Sequence, residues 1–184
     1  MPELVDVGIA GSVLVPLTVH EDGRGHFAEM FRRSWLPGMR EVLQANLSLS
    51  RPNVLRGLHF HRKQADYWAI LSGTAFIALY DLRKGSPTEG KKAEIDIDAD
   101  ERRCLLIPKG VGHGFYTATG ALLQYLLDEY HTGEDEFGIA WDDPDMGIAW
   151  PATAPILSDR DRSNPSLQEV LAWAPTWVPE SETT

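Results

Sequence analysis

VLRGLHFHRKQADYWAILSG, residues 54–73, decides how this chain is read. Two runs of aliphatic and aromatic residues, 54–60 and 67–72, flank a short polar connection, the pattern of strands joined by a turn. On a strand, alternate side chains share a face. Arg56 and Leu58 are therefore predicted to point one way, and Gly57, His59 and His61 the other. Two imidazoles then look into one space. If the strands close on themselves, that space is the barrel interior, and polar groups there form a ligand site rather than a packed core.

Outward from this stretch, similar short runs recur at 11–19, 25–32, 42–50, 74–82, 93–98, 103–107, 114–118 and 122–130, punctuated by Gly, Pro and Asp. Such spacing predicts an all-β barrel or sandwich. Two segments carry helical spacing instead. WLPGMREVLQ (35–44) follows its apolar residues around a Pro-Gly pair, and SNPSLQEVLAWA (163–174) places Ser166 as an N-cap ahead of a Leu/Val/Leu stripe. Both are expected as short peripheral helices packing on the barrel. With no fixed-period repeat, one domain over 1–177 is expected, with a disordered tail at 178–184.

The 184 residues carry a formal charge of -10, with 43% hydrophobic and 24% charged residues. That composition suits a folded domain, and the charge argues against non-specific nucleic-acid binding, which draws on Lys and Arg. The lone Cys104, in ERRCLLIP, reads as an inert core thiol. Nothing near the N-terminus has the basic start of a signal peptide, and no apolar run approaches a membrane span, so a cytoplasmic location is expected.

A second cluster, LIPKGVGHGF at 106–115, adds His113. Gly110 and Gly114 read as backbone requirements, a turn or a close strand approach, and Pro108 as turn chemistry. The acidic run GEDE (133–136) and the loop GSPTEGKK (85–92) read as solvated.

Several motifs in order resemble the dTDP-4-dehydrorhamnose 3,5-epimerase family of cupins: DGRGHFAEMF (22–31), QANLSLS (44–50), VLRGLHF (54–60), ALYDLRKGSPTEG (78–90), IPKGVGHGF (107–115), the strand from Tyr125 to Tyr130, GIAWDDPDMGIAWP (138–151) and ILSDRD (156–161). The resemblance implies a double-stranded β-helix, a cupin jelly-roll barrel, assembled as a homodimer in which strands of one subunit extend the sheet of the other. It implies epimerisation of a dTDP-linked 4-keto-6-deoxy sugar at carbon 3, carbon 5 or both, with no cofactor required. By the resemblance His59 is the base, Asp161 the carboxylate that orients it and Tyr125 the acid. Arg24 and Arg56 match positions near the diphosphate, Gln44 and Asn46 match nucleotide contacts, and Phe27, Glu29 and Tyr130 match positions around thymine and deoxyribose. His113 matches a pocket histidine that could support the enolate.

Two positions depart from the pattern. Asp66 stands where the family carries a lysine, exchanging a charge that would stabilise an enolate for one that would repel it. His61 replaces the usual glutamine, so that His59, His61, Asp66 and His113 together follow a metal-binding cupin pattern. Three imidazoles and a carboxylate suit Zn, Fe, Mn or Ni. A metal-dependent isomerase or dioxygenase is thus the competing reading, and a non-catalytic sugar-nucleotide binding module is a third. Tyr67 and Trp68 are bulkier than the usual residues and are expected to alter the sugar pocket.

Overall fold

The computed structural model describes residues 1–36 and 38–178. Its first strands are β1 (Val5–Asp6), β2 (Val13–Pro16), β3 (Val19–Asp22), β4 (Gly25–Ala28), β5 (Gln44–Ser50) and β6 (Val54–Phe60). There follow β7 (Asp66–Asp81), β8 (Lys92–Asp98), β9 (Arg103–Ile107), β10 (Val111–Thr117), β11 (Ala121–Leu127) and β12 (Phe137–Gly138). Two short helices close the chain, α1 (Asp159–Arg162) and α2 (Leu167–Leu171).

The runs expected at 67–72 and 74–82 are one continuous strand, β7. Its first half pairs with β9 and β11 and its second with β8 and β10, so it serves two sheets. One sheet runs β1-β2-β9-β7-β11-β5 and the other β8-β7-β10-β6-β12, all antiparallel. This is the expected all-β jelly roll with few short helices. A register shift between Leu122 and Leu123, opposite the middle of β7, lets the strand turn from one sheet to the other.

Period-two alternation sorts the apolar residues into three clusters. Between the sheets lie Trp68, Ile70, Ile77, Leu79, Leu105 and Phe115. Behind the first sheet, Tyr67, Ala69, Cys104 and Leu106 are covered by Trp35, Leu36 and Met39. Behind the second, Leu58, Phe60 and Leu82 are covered by Ile139, Leu167 and Val170. A fully buried side chain of this size contributes about 1.5–3 kcal/mol, against about 0–1 for an exposed ion pair. The clusters therefore dominate the stability.

The helix expected at 35–44 does not form. A single 3₁₀ turn forms at Arg33–Trp35 and residues 38–43 are turn and irregular chain, in keeping with a sequence whose Pro37 has no N–H to donate and whose Gly38 disfavours helix. The expected packing of its apolar residues on the barrel holds nonetheless. The run at 11–19 yields only β2, and β3 and β4 form a separate hairpin outside both sheets. The helix expected within 163–174 is α2, capped reciprocally by Ser166 and Glu169 as an S-x-x-E box. Of the expected tail, residues 179–184 lie outside the described residues. No helix among the described residues is long and apolar enough to cross a membrane.

Candidate active site

The alternation predicted from Arg56 to His61 breaks once. His113 stands opposite His59, yet Phe115 stands opposite Arg56, so two steps on β10 match three on β6. This bulge flips the parity. Leu58 and Phe60 face the outer cluster, His59 and His61 face the lumen, and Arg56 returns to the side of its partner Phe115, donating its Nε–H to Ser50 Oγ at 2.9 Å. The expectation that Arg56 and Leu58 share a face is corrected accordingly. The bulge depends on backbone contact between strands. A Cβ on Gly57, whose φ is +128°, would stand 2.6 Å from the Cα of Gly114.

His59 Nε2 lies 2.6 Å from Oδ1 of Asp161. Asp161 is buried in α1, its own N–H donating to the Ser158 N-cap hydroxyl at 3.1 Å. Burial pushes its carboxyl up, but the hydrogen bond and charge of His59, with smaller help from Ser158 and Arg160, hold it below its ordinary value of 3.8. A carboxylate only accepts, so the neutral imidazole carries its hydrogen on Nε2 and presents a lone pair on Nδ1. That is the tautomer a base needs.

Tyr125, on β11, is half-buried beside its cross-strand partner Asn46. Burial raises its phenol above 10.0; Asp66 and Glu136 push the same way, while Asn46 and Arg56 oppose them. Tyr125 stands opposite Trp68, Trp68 meets His113 edge-on and His113 stands opposite His59, so phenol and base belong to one side of the barrel. The phenol is a neutral hydrogen donor at neutral pH.

His61, Asp66 and His113 are all buried and form a second group. Each offers one ligand atom, all within 4.8 Å of one another. His59 is not among them. The four-ligand set expected for a metal is therefore split by the structure, with one ring given to Asp161 and three groups gathered opposite. Burial, its largest influence, lowers His113 to about 4, keeping the ring neutral. Trp68 meets His113 edge-on at 5.3 Å and donates its indole N–H to Asp66. Tyr67 points to the other side of the sheet, its hydroxyl bound to Met30 O, so of the two bulky neighbours only Trp68 shapes the lumen.

Gln44 and Asn46 sit on the same stretch of β5, their side chains bonded at 2.8 Å. Tyr130 adjoins this pair, since the next residue's N–H, that of His131, donates to Gln44 Oε1 at 3.1 Å, while Arg24, Glu29 and Phe27 lie on or beside the exposed hairpin. Arg24 is exposed and paired with Asp22, Glu29 pairs with Arg32 and lines a groove with Met1, Pro16 and Trp35, and Phe27 lies 64% exposed on the hairpin. Tyr130 is 61% exposed.

Two loops read as solvated are partly structural. The Asp135 carbonyl accepts from His61 Nδ1, and Glu136 pairs with Arg160 beside His59. Ser86 and Thr88 donate their hydroxyls to buried Asp81. An acidic run reads the same in sequence whether it faces water or caps a cavity. For Gln64 and Trp68, which both donate to Asp66, the signal was their spacing two residues either side of it.

The family model for dTDP-4-dehydrorhamnose 3,5-epimerase matches residues 6–169. The chain belongs to that family. Among the epimerase relatives, the dTDP-4-dehydrorhamnose 3,5-epimerase of Mycobacterium tuberculosis is 34% identical over 178 residues, covering 91% of this chain and 88% of that protein. A 3,5-epimerase from Legionella pneumophila, solved with dTDP-4-keto-L-rhamnose, superposes with a TM-score of 0.90 at 29% identity, covering 97% of this chain and 100% of that one. A 3'-monoepimerase from Streptomyces bikiniensis, solved with dTDP-quinovose, has a TM-score of 0.86 at 33% identity, covering 94% and 92%. Epimerases acting at two carbons and at one thus share this fold and this level of similarity. Cys104, expected to be an inert core thiol, is buried in the epimerase fold and pushed up by that burial to about 11.

Proposed function

We propose that this epimerase inverts carbon 3, carbon 5 or both in a dTDP-linked 4-keto-6-deoxy sugar. The His59–Asp161 pair carries the reading, because it sets an imidazole lone pair into a cavity that also holds a protonated phenol. His59 Nδ1 takes the proton alpha to the ketone. The C–H electrons move into an enolate on the carbon-4 oxygen, and the imidazolium is stabilised by Asp161. Tyr125 then returns a proton to the opposite face of that carbon. Positioned proton transfer of this kind contributes about 10²–10⁴-fold. The proton transfers call on no redox cofactor.

Arg56 supports the diphosphate and Gln44 and Asn46 the nucleotide in this reading. Tyr130 adjoins Gln44 through the neighbouring His131 N–H, whereas Arg24, Phe27 and Glu29 lie on or beside the exposed β3-β4 hairpin, which favours a homodimer whose hairpin reaches the partner's site. Leu47 and Leu49, 64% and 73% exposed on the free edge strand β5, give such a dimer an apolar face and an unpaired edge to extend. A cytoplasmic location belongs to the same reading.

The experiment is solvent-deuterium wash-in followed by NMR with dTDP-4-keto-6-deoxyglucose and related 4-keto sugars. Label at carbon 3 or carbon 5 is expected. Absence of label across all of these substrates would reject the reading.

A further inference from the structure

His61, Asp66 and His113 converge as three lone-pair donors. His61 Nδ1 lies 2.7 Å from the carbonyl oxygen of Asp135, and His113 Nδ1 lies 3.0 Å from that of Val111. A carbonyl oxygen only accepts, so each Nδ1 carries the ring hydrogen and each neutral ring has a bare Nε2. Asp66 is held by Gln64 Nε2 at 2.6 Å on one oxygen and by Trp68 Nε1 at 3.0 Å on the other. These two bonds fix the carboxylate and leave lone pairs on both oxygens. No Lys or Arg among the described residues pairs with it, although it is only 3% exposed.

His113 Nε2 and Asp66 Oδ2 stand 3.8 Å apart. That is too long for a hydrogen bond. It is within the maximum of about 4.0–4.4 Å that two metal–ligand bonds of 2.0–2.2 Å can span, at an angle wider than tetrahedral. The His61 and His113 rings lie near each other, with centroids 5.4 Å apart. Both histidines donate Nδ1–H to a carbonyl, the arrangement that orients metal-binding imidazoles. Two imidazoles and one carboxylate suit a first-row divalent cation with coordination positions left open.

We propose that His61, Asp66 and His113 hold one such cation. Resting on the epimerase reading above, an open position of that cation faces the carbon-4 oxygen of the sugar and stabilises the enolate as a Lewis acid. His59 remains outside the set, bound to Asp161, so base and cation use different rings. The same convergence would otherwise have to be relieved by a proton on one of the three groups.

The test is titration of Co(II) into chelator-treated, dialysed protein, read by visible absorption and by calorimetry. About one equivalent is expected, weakened at least about tenfold in each of His61→Ala, Asp66→Asn and His113→Ala, and unchanged in His59→Asn. Circular dichroism and dTDP binding show whether each variant is folded. Sub-stoichiometric binding, or binding that survives Asp66→Asn combined with His113→Ala, overturns the site and leaves a proton on one of the three groups as the explanation. Deuterium wash-in, measured with and without Co(II), separates the two levels of the proposal. Wash-in without any Co(II) binding defeats the cation and spares the epimerase reading. Stoichiometric binding without wash-in in either state does the reverse. Binding with wash-in at the same rate in both states removes the Lewis-acid role and keeps the site.

Discussion

His59 and Asp161 are separated by 102 positions in the chain and by 2.6 Å in space. The short α1 helix supplies the carboxylate and β6 the imidazole, so the pair exists only because the C-terminal segment folds back over the second sheet. Substituting His59→Asn keeps a polar group but removes the base. Turnover is expected to fall by about 10²–10⁴-fold while dTDP affinity changes little, checked by kcat and by calorimetry.

Tyr125→Phe separates the two halves of the reaction. The base still removes a proton, so deuterium enters carbon 3 or 5, but the opposite face goes unprotonated and the label is retained in the starting configuration. Epimerised product is expected to drop by about 10²-fold or more with wash-in persisting, read by NMR of the recovered sugar. In the wild-type enzyme the phenol is raised above 10.0, so Tyr125-dependent inversion should hold through the neutral range and decline only above pH 10.

Asp161→Asn tests the pair through acid stability. The folded carboxyl lies below its ordinary 3.8. Stabilisation from such a lowered group is present above the unfolded value and disappears as pH falls through the folded one. Wild type should therefore exceed Asp161→Asn in urea midpoint at pH 6, with the gap closing as pH drops below about 4. A gap independent of pH would show that the two groups do not share a charge.

Asp81→Ala addresses the buried ion pair at the end of β7. Arg83 donates to both Asp81 oxygens, at 2.7 and 2.8 Å, and Ser86 and Thr88 add their hydroxyls at 2.6 Å. Removing the carboxylate strands a buried guanidinium and should cost about 3–5 kcal/mol, measured by denaturant unfolding.

Gly57→Ala probes the contact beneath the bulge. The added methyl meets Gly114 Cα at 2.6 Å with φ at +128°. A loss of about 1–3 kcal/mol is expected from the conformation alone. The shift should also change activity, since β6 and β10 carry His59 and His113 as direct partners.

The strands, their antiparallel barrel and the core thiol were legible because alternation and turn residues are local properties, decided by neighbours two to four positions away. The Ser166–Glu169 cap was legible for the same reason. The segment 35–44 misled because an apolar stripe reports burial, and burial alone does not make a helix across Pro37 and Gly38. The face of Arg56 misled because one extra residue on β6, visible only against β10, reverses the pattern.

From its own residues the chain determined a strand-built barrel with histidines looking inward, and motif order tied those histidines to one family's chemistry. Tertiary structure alone decided how they are divided. Hydrogen-bond partners from distant segments, Asp161 for His59 and Asp135 for His61, with the Val111 carbonyl two residues before His113 on its own strand, set which nitrogen of each ring carries its hydrogen. A tautomer depends on what stands within about 3 Å of a ring, and sequence spacing carries no record of that distance.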